Sequence, residues 1–442
     1  MIERLTELEE QGKQIKVGIV GTGFLGSGIV HQIYQMKGMS ASVLADINIE
    51  AAIKAYLKNK VDRSQVVIAE NVRTAKDAVY RGKPVVTEDP EIIPETGVDV
   101  IVEATGVPEI GAKIALKSIL NRKHIVMMNV EADVVIGPIL SKFAKSCGVV
   151  YTIAAGDQPG VICEMYDWAI SLGLKVVVAG RGTVLPPGGR KLTPEEVKDE
   201  ARKFGLSPKM LTSFKDGTKS QIEMAGVANM IGFLPDVRGM HEPFASVDEL
   251  VNVFALQEQG GILERERVIE SANCYTPEGK YVVQGQVFPG VFLIVTTEHP
   301  GIINSLNYHW STRGYTGPNY PLYRPYHLCA IEVPRSIAKA YLYHEAIGAA
   351  QKIWAEAITL AKKELKKGEI LDGAGGATVY GLVEKAQIAK QERLLPIGFA
   401  NGGRLKVDVS EDEPITWDMV EVDTDSFLFK LRKLQDEERL LD

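Results

Sequence analysis

The sequence has few cysteines and no paired arrangement of them. The four cysteines of the 442-residue chain form no C-x-x-C pair and have no histidine-rich companion segment. A disulfide framework and a zinc site both need such clustering. The sequence therefore excludes a small disulfide-stapled fold and a structural zinc module, and the cysteines are expected to pack mostly as small core residues.

Long apolar runs, an excess of positive charge and an export signal are also missing. The longest apolar runs, such as Val98–Val102 and Val291–Val295, fall far short of the roughly 20 residues of a membrane helix. The first residues, MIERLTELEEQGKQ, lack the apolar core of a signal peptide. The net charge of −7 argues against a nucleic-acid or anionic-membrane surface. We therefore expect a cytoplasmic protein whose partner is a small molecule.

Neither an internal repeat nor a low-complexity tract is present, but strand-like and helix-like segments alternate. Segments such as Ile29–Met36 and Ile110–Leu120 have helical periodicity. The predicted strands between them are Ile15–Val20, Ser42–Ala45, Val98–Ala104, His124–Met128 and Val149–Ile153. This rhythm predicts an α/β fold with an N-terminal Rossmann-type, doubly wound parallel sheet. The long stretch 63–96 predicts an inserted helix plus an irregular excursion.

The pattern of strand-like and helix-like segments changes after about residue 160, where a stretch rich in glycine and proline follows, and this predicts a second domain. The stretch GRGTVLPPGGRKLTPEEV enters a helix with Thr193 as N-cap, and YVVQGQVFPGVFLIVTTE has the composition of strands. The alanine content of Ile337–Lys367 predicts one or two long helices. The predicted domains are a dinucleotide-binding domain at 1–160, an α+β substrate and oligomerisation domain at 161–365, with the option that helices from 330–365 pack back on the first domain, and a small β-rich module with a C-terminal helix at 366–442.

The glycine cluster GIVGTGFLGSG predicts a cofactor site. Gly21, Gly23 and Gly26 fit G-x-G-x-x-G, whose glycines allow a tight turn, close approach to a pyrophosphate, and close packing of helix on strand. Asp46, 20 residues after Gly26, ends the next strand, where a carboxylate binds ribose hydroxyls and favours NAD over NADP. A bare strand-to-helix turn is the alternative. The residues predicted to bind NAD(P)(H) are Gly21, Gly23, Phe24, Leu25, Gly26, Asp46, Thr105, Gly106 and Asn129.

Segments of the first 160 residues resemble the nucleotide-binding half of homoserine dehydrogenases. They are IKVGIVGTGFLGSGIV, VDVIVEATGVPEIGAKIAL and KHIVMMNVEADVVIG. Homoserine dehydrogenases end the strand corresponding to His124–Met128 in Asn-Lys, with the lysine at the catalytic cleft. Here Asn129 is followed by Val130 and Glu131, which speaks against homoserine as the substrate.

A likeness over nearly the whole chain rests on AAGDQPGV, KSQIEMAGVANMIG, YPLYRPYHL and the C-terminal KKGEILDGAGGATVYG and LLPIGFANGG. These segments resemble homoserine-dehydrogenase-like oxidoreductases with a C-terminal SAF domain, a group that includes 1-deoxy-D-xylulose 5-phosphate reductoisomerase-like enzymes. The resemblance implies a homodimeric NAD(P)-dependent oxidoreductase of a small phosphorylated or polyhydroxy carbonyl compound, with a SAF-like module at 366–442. It also implies that a rearrangement aided by Mg²⁺ or Mn²⁺ precedes reduction in some members. A homoserine-type dehydrogenase and a non-catalytic dinucleotide-binding sensor are the alternatives.

Polar residues at predicted strand ends and on one helix are candidates for the chemistry. Glu131 and Asp133 follow one strand and Asp157 follows the next, at the rim where α/β sheets hold ligands. Capping of a turn or helix is the alternative for all three. Lys219 and Glu223 stand four apart on a helix predicted from about Thr218, which suits a general acid and its orienting carboxylate. An exposed ion pair is the alternative.

The predicted catalytic residues are Lys219, Glu223, Asp157 and Glu131, and the predicted metal ligands are Asp157, Glu131 and Glu223. Arg324 suits bidentate phosphate recognition and His327 can move protons near neutrality. A loop-bracing arginine and a core histidine are the alternatives. Together with Lys215 and Asn229, Arg324 and His327 are the predicted substrate ligands.

Overall fold

The computed structural model describes residues 1–311, 314–315 and 317–438 of the chain. It divides into two compact units. Unit 1 takes residues 1–160 and 328–351 together with the C-terminal segment from residue 425, and unit 2 takes residues 161–327 and 352–424. The first border falls at residue 160. The three domains expected at 1–160, 161–365 and 366–442 stay predictions. Residues 439–442 of the predicted third domain lie outside the described residues.

The helices and strands follow one another along the chain as the sequence rhythm suggests. The helices are α1 (Ile2–Glu10), α2 (Phe24–Ile33), α3 (Ile49–Leu57), α4 (Val72–Tyr80), α5 (Pro108–Leu120), α6 (Val130–Cys147), α7 (Gln158–Ser171), α8 (Pro194–Phe204), α9 (Pro208–Lys215), α10 (Thr218–Ile231), α11 (Leu250–Val253), α12 (Pro300–Trp310), α13 (Val333–Tyr343), α14 (Ala386–Gln391) and α15 (Phe427–Glu437). The strands are β1 (Ile15–Val20), β2 (Met39–Ala45), β3 (Val67–Ile68), β4 (Val85–Thr87), β5 (Val100–Glu103), β6 (His124–Met127), β7 (Tyr151–Ile153), β8 (Lys175–Thr183), β9 (Leu234–Pro235), β10 (Val268–Asn273), β11 (Val291–Thr296), β12 (Asn319–Arg324), β13 (Ala355–Ala361), β14 (Val379–Lys385), β15 (Arg404–Leu405) and β16 (Val420–Glu421).

Unit 1 is built on a parallel sheet. Among the described residues its seven strands have the order β3-β4-β2-β1-β5-β6-β7, and every pair is parallel. Strands buried on both faces need continuous apolar runs, and the side chains of Ile15, Val17 and Ile19 are fully buried. The arrangement confirms the predicted doubly wound sheet. The stretch 63–96 contains the predicted helix, α4, and also the edge strand β3 and its neighbour β4, which are too short for periodicity to reveal.

Two helices from later in the chain complete unit 1. Helix α13 packs against α2 and β6, and α15 packs against α5 and α6. Pro138 lies inside α6 and has no N–H to contribute to the helix. Beside it, Gln435 of α15 accepts a hydrogen bond from the backbone N–H of Ile139 (3.1 Å) and donates to the carbonyl of Val135 (2.9 Å). The C-terminal helix therefore satisfies backbone groups in the N-terminal part of the chain.

Unit 2 contains a mixed sheet and small antiparallel sheets. Among the described residues the mixed sheet has the order β12-β11-β8-β10-β9, with β11 antiparallel to both of its neighbours. Strands β13 and β14 form one antiparallel pair, and β15 and β16 form another. Thr193 caps α8 in a capping box with Glu196, as the sequence predicts. The expected α+β domain and C-terminal β module are thus present.

The prediction of long helices over Ile337–Lys367 is wrong in its second half. Only α13 is helical, while Ala355–Ala361 forms strand β13, in which every residue is buried. The sequence of β13, AEAITLA, is rich in alanine and has no clear period, so it fits a buried strand as well as a core helix. Likewise, only β11 of the stretch 281–298 is a strand. Within the described residues, no helix is long and apolar enough to cross a membrane.

Lys362, the residue after β13, holds three parts of unit 2 together. Its ammonium lies 2.7 Å from the carboxylate of Asp216, just before α10. It also donates to the carbonyls of Leu192 (2.6 Å) and Gly376 (2.7 Å). Lys362 and Asp216 are both buried, so each charge depends on the other for the solvation it has lost.

Removing this cation should destabilise unit 2. We expect Lys362→Met to lower the free energy of unfolding by about 3–5 kcal/mol, because Asp216 would keep a buried charge without its partner. Adding Asp216→Asn should recover part of the loss. Urea denaturation of the full chain measures both, with Lys363→Met, an exposed neighbour paired with Glu369, as control. Unfolding of Lys362→Met at the wild-type urea concentration would contradict the assignment.

Candidate functional site

The glycine turn joins β1 to α2, and each glycine has a distinct structural reason. Gly21 has a φ of +88°, and a Cβ there would lie 3.0 Å from the backbone of Ala104. A Cβ on Gly26 would lie 1.9 Å from the carbonyl oxygen of Gly21, so α2 can approach the turn only without a side chain at Gly26. Gly23 is the N-cap of α2, and no atom lies within 4 Å of the position that its Cβ would take. The turn is therefore open on the side of Gly23.

The start of α2 has the features of an anion-binding helix end. The N–H groups of a first helical turn have no partner within the helix, and they carry the positive end of its dipole. Leu25 packs partly against the core of unit 1, whereas the ring of Phe24 is exposed. The open cradle at Gly23 and the amides of Phe24 and Leu25 fit the diphosphate of a dinucleotide.

Asp46, immediately after β2, braces the glycine turn. Its Oδ2 accepts hydrogen bonds from the backbone N–H of Thr22 (2.7 Å) and from the Thr22 hydroxyl (2.8 Å). Its Oδ1 accepts from the N–H of Asn48 (2.8 Å). Each carboxylate oxygen can accept more than one hydrogen bond, so these contacts leave acceptor capacity for ribose hydroxyls. Sequence reasoning predicted the ribose contact and missed the bracing of the turn.

The other predicted cofactor residues meet at the carboxyl ends of β5 and β6. Glu103, which is fully buried, accepts from both the backbone N–H and the hydroxyl of Thr105. Asn129 caps α6 through Ala132 and donates from its amide to the carbonyl of Val107 (3.0 Å). Gly106, between them, has a φ of +67°. Burial raises the pKa of the Glu103 carboxyl to about 7. Glu103 thus fixes the loop that carries Thr105 and Gly106.

The acidic residues after β6 and β7 take different positions. Glu131 is half-buried in the first turn of α6, and Asp157 is buried directly before α7, both at the carboxyl edge of the parallel sheet as predicted. Asp157 accepts from the N–H of Gln158 (3.1 Å) and from the Cys329 thiol (3.6 Å). Asp133 instead points into the core and accepts from the hydroxyl of Tyr151 (2.7 Å), and burial raises its pKa to about 6.

A buried cluster of charges joins β8 to α10 in unit 2. The carboxylate of Glu223 forms an ion pair with the guanidinium of Arg181, and these side chains are 6% and 8% exposed. The ammonium of Lys219 lies 3.9 Å from the other oxygen of Glu223 and is 17% exposed. The alternative of an exposed surface pair is therefore excluded for Lys219 and Glu223. Sequence reasoning missed Arg181, although an arginine inside the apolar run VVVAGRGT was a visible signal.

Arg324 and His327 lie at the same edge of the mixed sheet as Arg181. In the strand register Arg181 is opposite Val291 of β11, and Val291 is opposite Arg324 of β12. Residues opposite one another in neighbouring strands share a face of the sheet. The Nδ1 of His327 lies 2.7 Å from the carbonyl oxygen of Pro289, just before β11. The fold thus brings Lys219, Glu223, Arg324 and His327 to one sheet edge.

Two predicted substrate ligands, Asn229 and Lys215, make contacts that serve the fold. The side-chain amide of Asn229 donates to the carbonyl of Ala355 (3.1 Å) and accepts from the N–H groups of Trp354 (2.6 Å) and Ala355 (2.9 Å). It ties the end of α10 to the start of β13, because an irregular strand entry needs backbone partners. Lys215, at the end of α9, pairs with Glu200 at 2.5 Å on a partly exposed surface. The prediction that Asn229 and Lys215 bind substrate is untested by these contacts and stays a prediction.

Of the three predicted metal ligands, Glu223 is the one that lies in unit 2. Its carboxylate lies between two cations, Arg181 and Lys219, which is an unfavourable setting for a third. Across the part of the chain that the structure describes, no group of three or more His, Cys, Asp or Glu side chains could hold a metal ion. Because Mg²⁺ often keeps several waters and is held through one or two carboxylates and substrate oxygens, binding of Mg²⁺ or Mn²⁺ at Asp157 or Glu131 stays a prediction.

Three protein-family models match the chain. Residues 21–151 match the NAD-binding domain of homoserine dehydrogenase, residues 156–333 match the catalytic domain of oxidoreductase DRL, and residues 360–421 match the SAF domain. The resemblance to homoserine-dehydrogenase-like proteins with a C-terminal SAF domain is confirmed. Arg181, Lys219, Glu223, Arg324 and His327 all lie in the segment matched by the catalytic domain.

Relatives of known structure or activity are distant. The homoserine dehydrogenase of Bacillus subtilis (strain 168) is 26% identical over 233 residues, 51% of this chain and 50% of that enzyme, so this chain spans about half of its length. An oxidoreductase from Agrobacterium radiobacter in complex with NAD+, L-tartaric acid and magnesium is 9% identical with a TM-score of 0.36, over 64% of this chain and 72% of that one. The apo scyllo-inositol dehydrogenase from Lactobacillus casei is 10% identical with a TM-score of 0.36, over 70% and 75%.

The raised pKa of Glu103 predicts a pH-dependent stability of unit 1. Between its usual value of 4.5 and its folded value of about 7, the unfolded chain releases this proton and the folded chain keeps it. Rising pH therefore disfavours the fold in this window, by about 3 kcal/mol in total. Glu103→Gln still accepts from Thr105 but cannot ionise. Its free energy of unfolding relative to wild type should rise between about pH 5 and about pH 8 in urea titrations. Exposed Glu88→Gln is the control, and a pH-independent difference for Glu103→Gln would refute the assignment.

Proposed function

Because the chain joins a homoserine-dehydrogenase-type NAD-binding domain to a DRL-type oxidoreductase catalytic domain and a SAF domain, we propose an NAD(P)-dependent oxidoreductase of a small phosphorylated or polyhydroxy carbonyl compound. The observation that carries the proposal is the buried Arg181–Glu223–Lys219 cluster inside the oxidoreductase-matched segment. Buried charges of this kind are costly and concentrate at functional sites. A homodimer and a cytoplasmic location stay predictions from the sequence.

Unit 1 holds the cofactor in this proposal. The N–H groups at the start of α2 bind the diphosphate across the open side of Gly23, and Asp46 accepts hydrogen bonds from the adenosine ribose. Thr105, Gly106 and Asn129 follow the neighbouring strands and line the path toward the nicotinamide. When bound, the nicotinamide supplies or accepts the hydride. The negative charge of Asp46 favours NAD, since a carboxylate repels a 2′-phosphate.

Unit 2 supplies the groups for a negatively charged substrate. Arg181 and Lys219 outnumber Glu223 by one positive charge, and Arg324 shares the sheet face of Arg181. Such a cluster favours a phosphate or an oxygen on which negative charge develops. Lys219 donates a proton to the carbonyl oxygen during reduction and takes it back in the reverse direction. Glu223 positions the ammonium of Lys219, and Arg181 holds Glu223 in place through their ion pair.

Roles for the remaining predicted residues follow from their positions. Asp157 and Glu131 stand at the carboxyl edge of the parallel sheet, where we propose that they assist proton transfer. His327 presents a ring whose Nδ1 is anchored on the Pro289 carbonyl, which leaves it oriented for a substrate hydroxyl or phosphate. A rearrangement aided by Mg²⁺ or Mn²⁺ before reduction stays a prediction from the sequence resemblance.

The cofactor part of the proposal predicts that substitutions of Gly23 and Gly26 affect NAD binding and stability differently. Gly23→Ala should leave the unfolding midpoint unchanged, because its Cβ would meet no protein atom, but should weaken NAD binding about tenfold or more by filling the cradle. Gly26→Ala should lower both stability and binding, since its Cβ would overlap the Gly21 carbonyl. Calorimetric titration of the full chain with NAD and NADP measures the affinities. If Gly23→Ala bound NAD with wild-type affinity, the proposed diphosphate site at Gly23 would be contradicted.

The catalytic part predicts that Lys219→Met lowers turnover by about 100- to 10,000-fold while NAD binding stays unchanged, because the proton donor is lost. Turnover is followed by nicotinamide absorbance with a panel of phosphorylated and polyhydroxy aldehydes and ketones. Lys198→Met, an exposed lysine paired with Glu195, is the matched control and should keep wild-type turnover. Undiminished turnover of Lys219→Met would overturn the role of Lys219. Binding of NAD without turnover of any compound in the panel would favour the dinucleotide sensor.

A further inference from the structure

Unit 2 contains a pocket that the proposed function does not use. The pocket has a volume of about 590 Å³ and lies between the loop 185–191, the segments 242–244 and 273–277, and the side chains of Tyr380 and Asp412. Most of its wall belongs to the segment matched by the oxidoreductase catalytic domain, whereas Tyr380 and Asp412 belong to the SAF-matched segment. A ligand bound here would contact both segments.

The pocket lies on the other side of α10 from the Lys219–Glu223 cluster. Gln221 of α10 donates a hydrogen bond to Glu242, which lines the pocket (3.0 Å). At 100° per residue, Gln221 points away from the helix face that carries Lys219 and Glu223. None of the predicted substrate or cofactor ligands named above lines the pocket. Its lining is therefore distinct from the Lys219–Glu223 cluster, although Glu242 also interacts electrostatically with Arg181.

The charges that line the pocket cancel. Arg190 is paired with Glu242, and Lys191 is paired with Asp412 (2.5 Å). Both cations also lie over the ring of Tyr380, at 5.6 and 5.7 Å from its centre, and the Tyr380 hydroxyl donates to Asp412 (2.8 Å). A polyanion such as a nucleotide would find no net positive charge here, and a purely apolar ligand would desolvate two ion pairs. A neutral polar ligand meets neither obstacle.

Hydroxyl groups match this lining better than other neutral groups. A hydroxyl can accept from a guanidinium and donate to a carboxylate at the same time, so it can join an ion pair without breaking it. The contacts of Arg190 with Glu242 and the Asp216 carbonyl use two of its five N–H groups. Prolines 186, 187 and 277 and the ring of Tyr275, which packs on Tyr281, add flat apolar walls of the kind that ligand pockets use.

We propose that this pocket is a binding site for a neutral polyhydroxylated molecule of about monosaccharide size. The ion pairs Arg190–Glu242 and Lys191–Asp412 bind its hydroxyls, and Tyr275 and the prolines contact its carbon skeleton. The proposed site requires neither the cofactor nor Lys219, so it can be tested separately from the proposed function.

Calorimetric titration of the full chain, without cofactor, tests the site with D-glucose, myo-inositol and D-mannitol, and with glucose 6-phosphate as the anionic counterpart. At least one neutral polyol should bind with a Kd of about 1 mM or tighter, and glucose 6-phosphate about tenfold more weakly than glucose if glucose is the ligand. Tyr275→Ala and Asp412→Asn should each weaken binding about tenfold or more. Tyr308→Ala, an exposed tyrosine outside the pocket, and Lys219→Met should bind as wild type does.

Three outcomes would overturn the site. They are a panel in which no neutral polyol binds, binding that survives both Tyr275→Ala and Asp412→Asn, and binding that is lost in Lys219→Met. The last outcome would place the ligand at the Lys219–Glu223 cluster instead. Circular dichroism of each variant establishes folding, and the two lining substitutions act on different walls, so a folding defect in one leaves the other decisive.

Discussion

A carboxylate inside a protein needs partners that replace the water it has lost, and for Glu223 the guanidinium of Arg181 is such a partner. The pair fixes α10 against the carboxyl end of β8, where the hydroxyls of Thr183 and Ser220 also meet at 3.1 Å. The position of Lys219 follows from this contact, because it stands one turn before Glu223. The candidate chemistry of unit 2 therefore depends on one buried ion pair.

Unit 1 meets the same constraint in a different way. Glu103 has no cation among its hydrogen-bond partners, and its carboxylate is solvated by the N–H and hydroxyl of Thr105. Neutral donors compensate burial only partly, so the pKa of Glu103 rises to about 7. One buried glutamate is thus paired with an arginine and stands beside a lysine, while the other holds a loop and has a raised pKa.

The sequence predicts those helices, strands and turns that a local pattern or motif marks. It does not predict contacts between residues that are far apart in the chain. Strand β1 and helix α10 begin at the expected residues, and the glycine turn is recognisable from the spacing of its glycines. Strand β13 was mistaken for helix, because an alanine-rich buried run lacks a period. Arg181 and Asn229 could not be judged, since their partners lie 42 and 126 residues away in the chain.

The contact of Gln435 with the backbone around Pro138 ties the beginning of the chain to its end. During synthesis, the nucleotide-binding part leaves the ribosome long before residue 435 has been added. Until then, the N–H of Ile139 and the carbonyl of Val135 in α6 lack the partner that Gln435 provides in the finished protein. Unit 1 can reach its final form only after unit 2 has been made. An incomplete chain would therefore carry an unfinished cofactor domain, and such chains are natural targets for quality-control proteases.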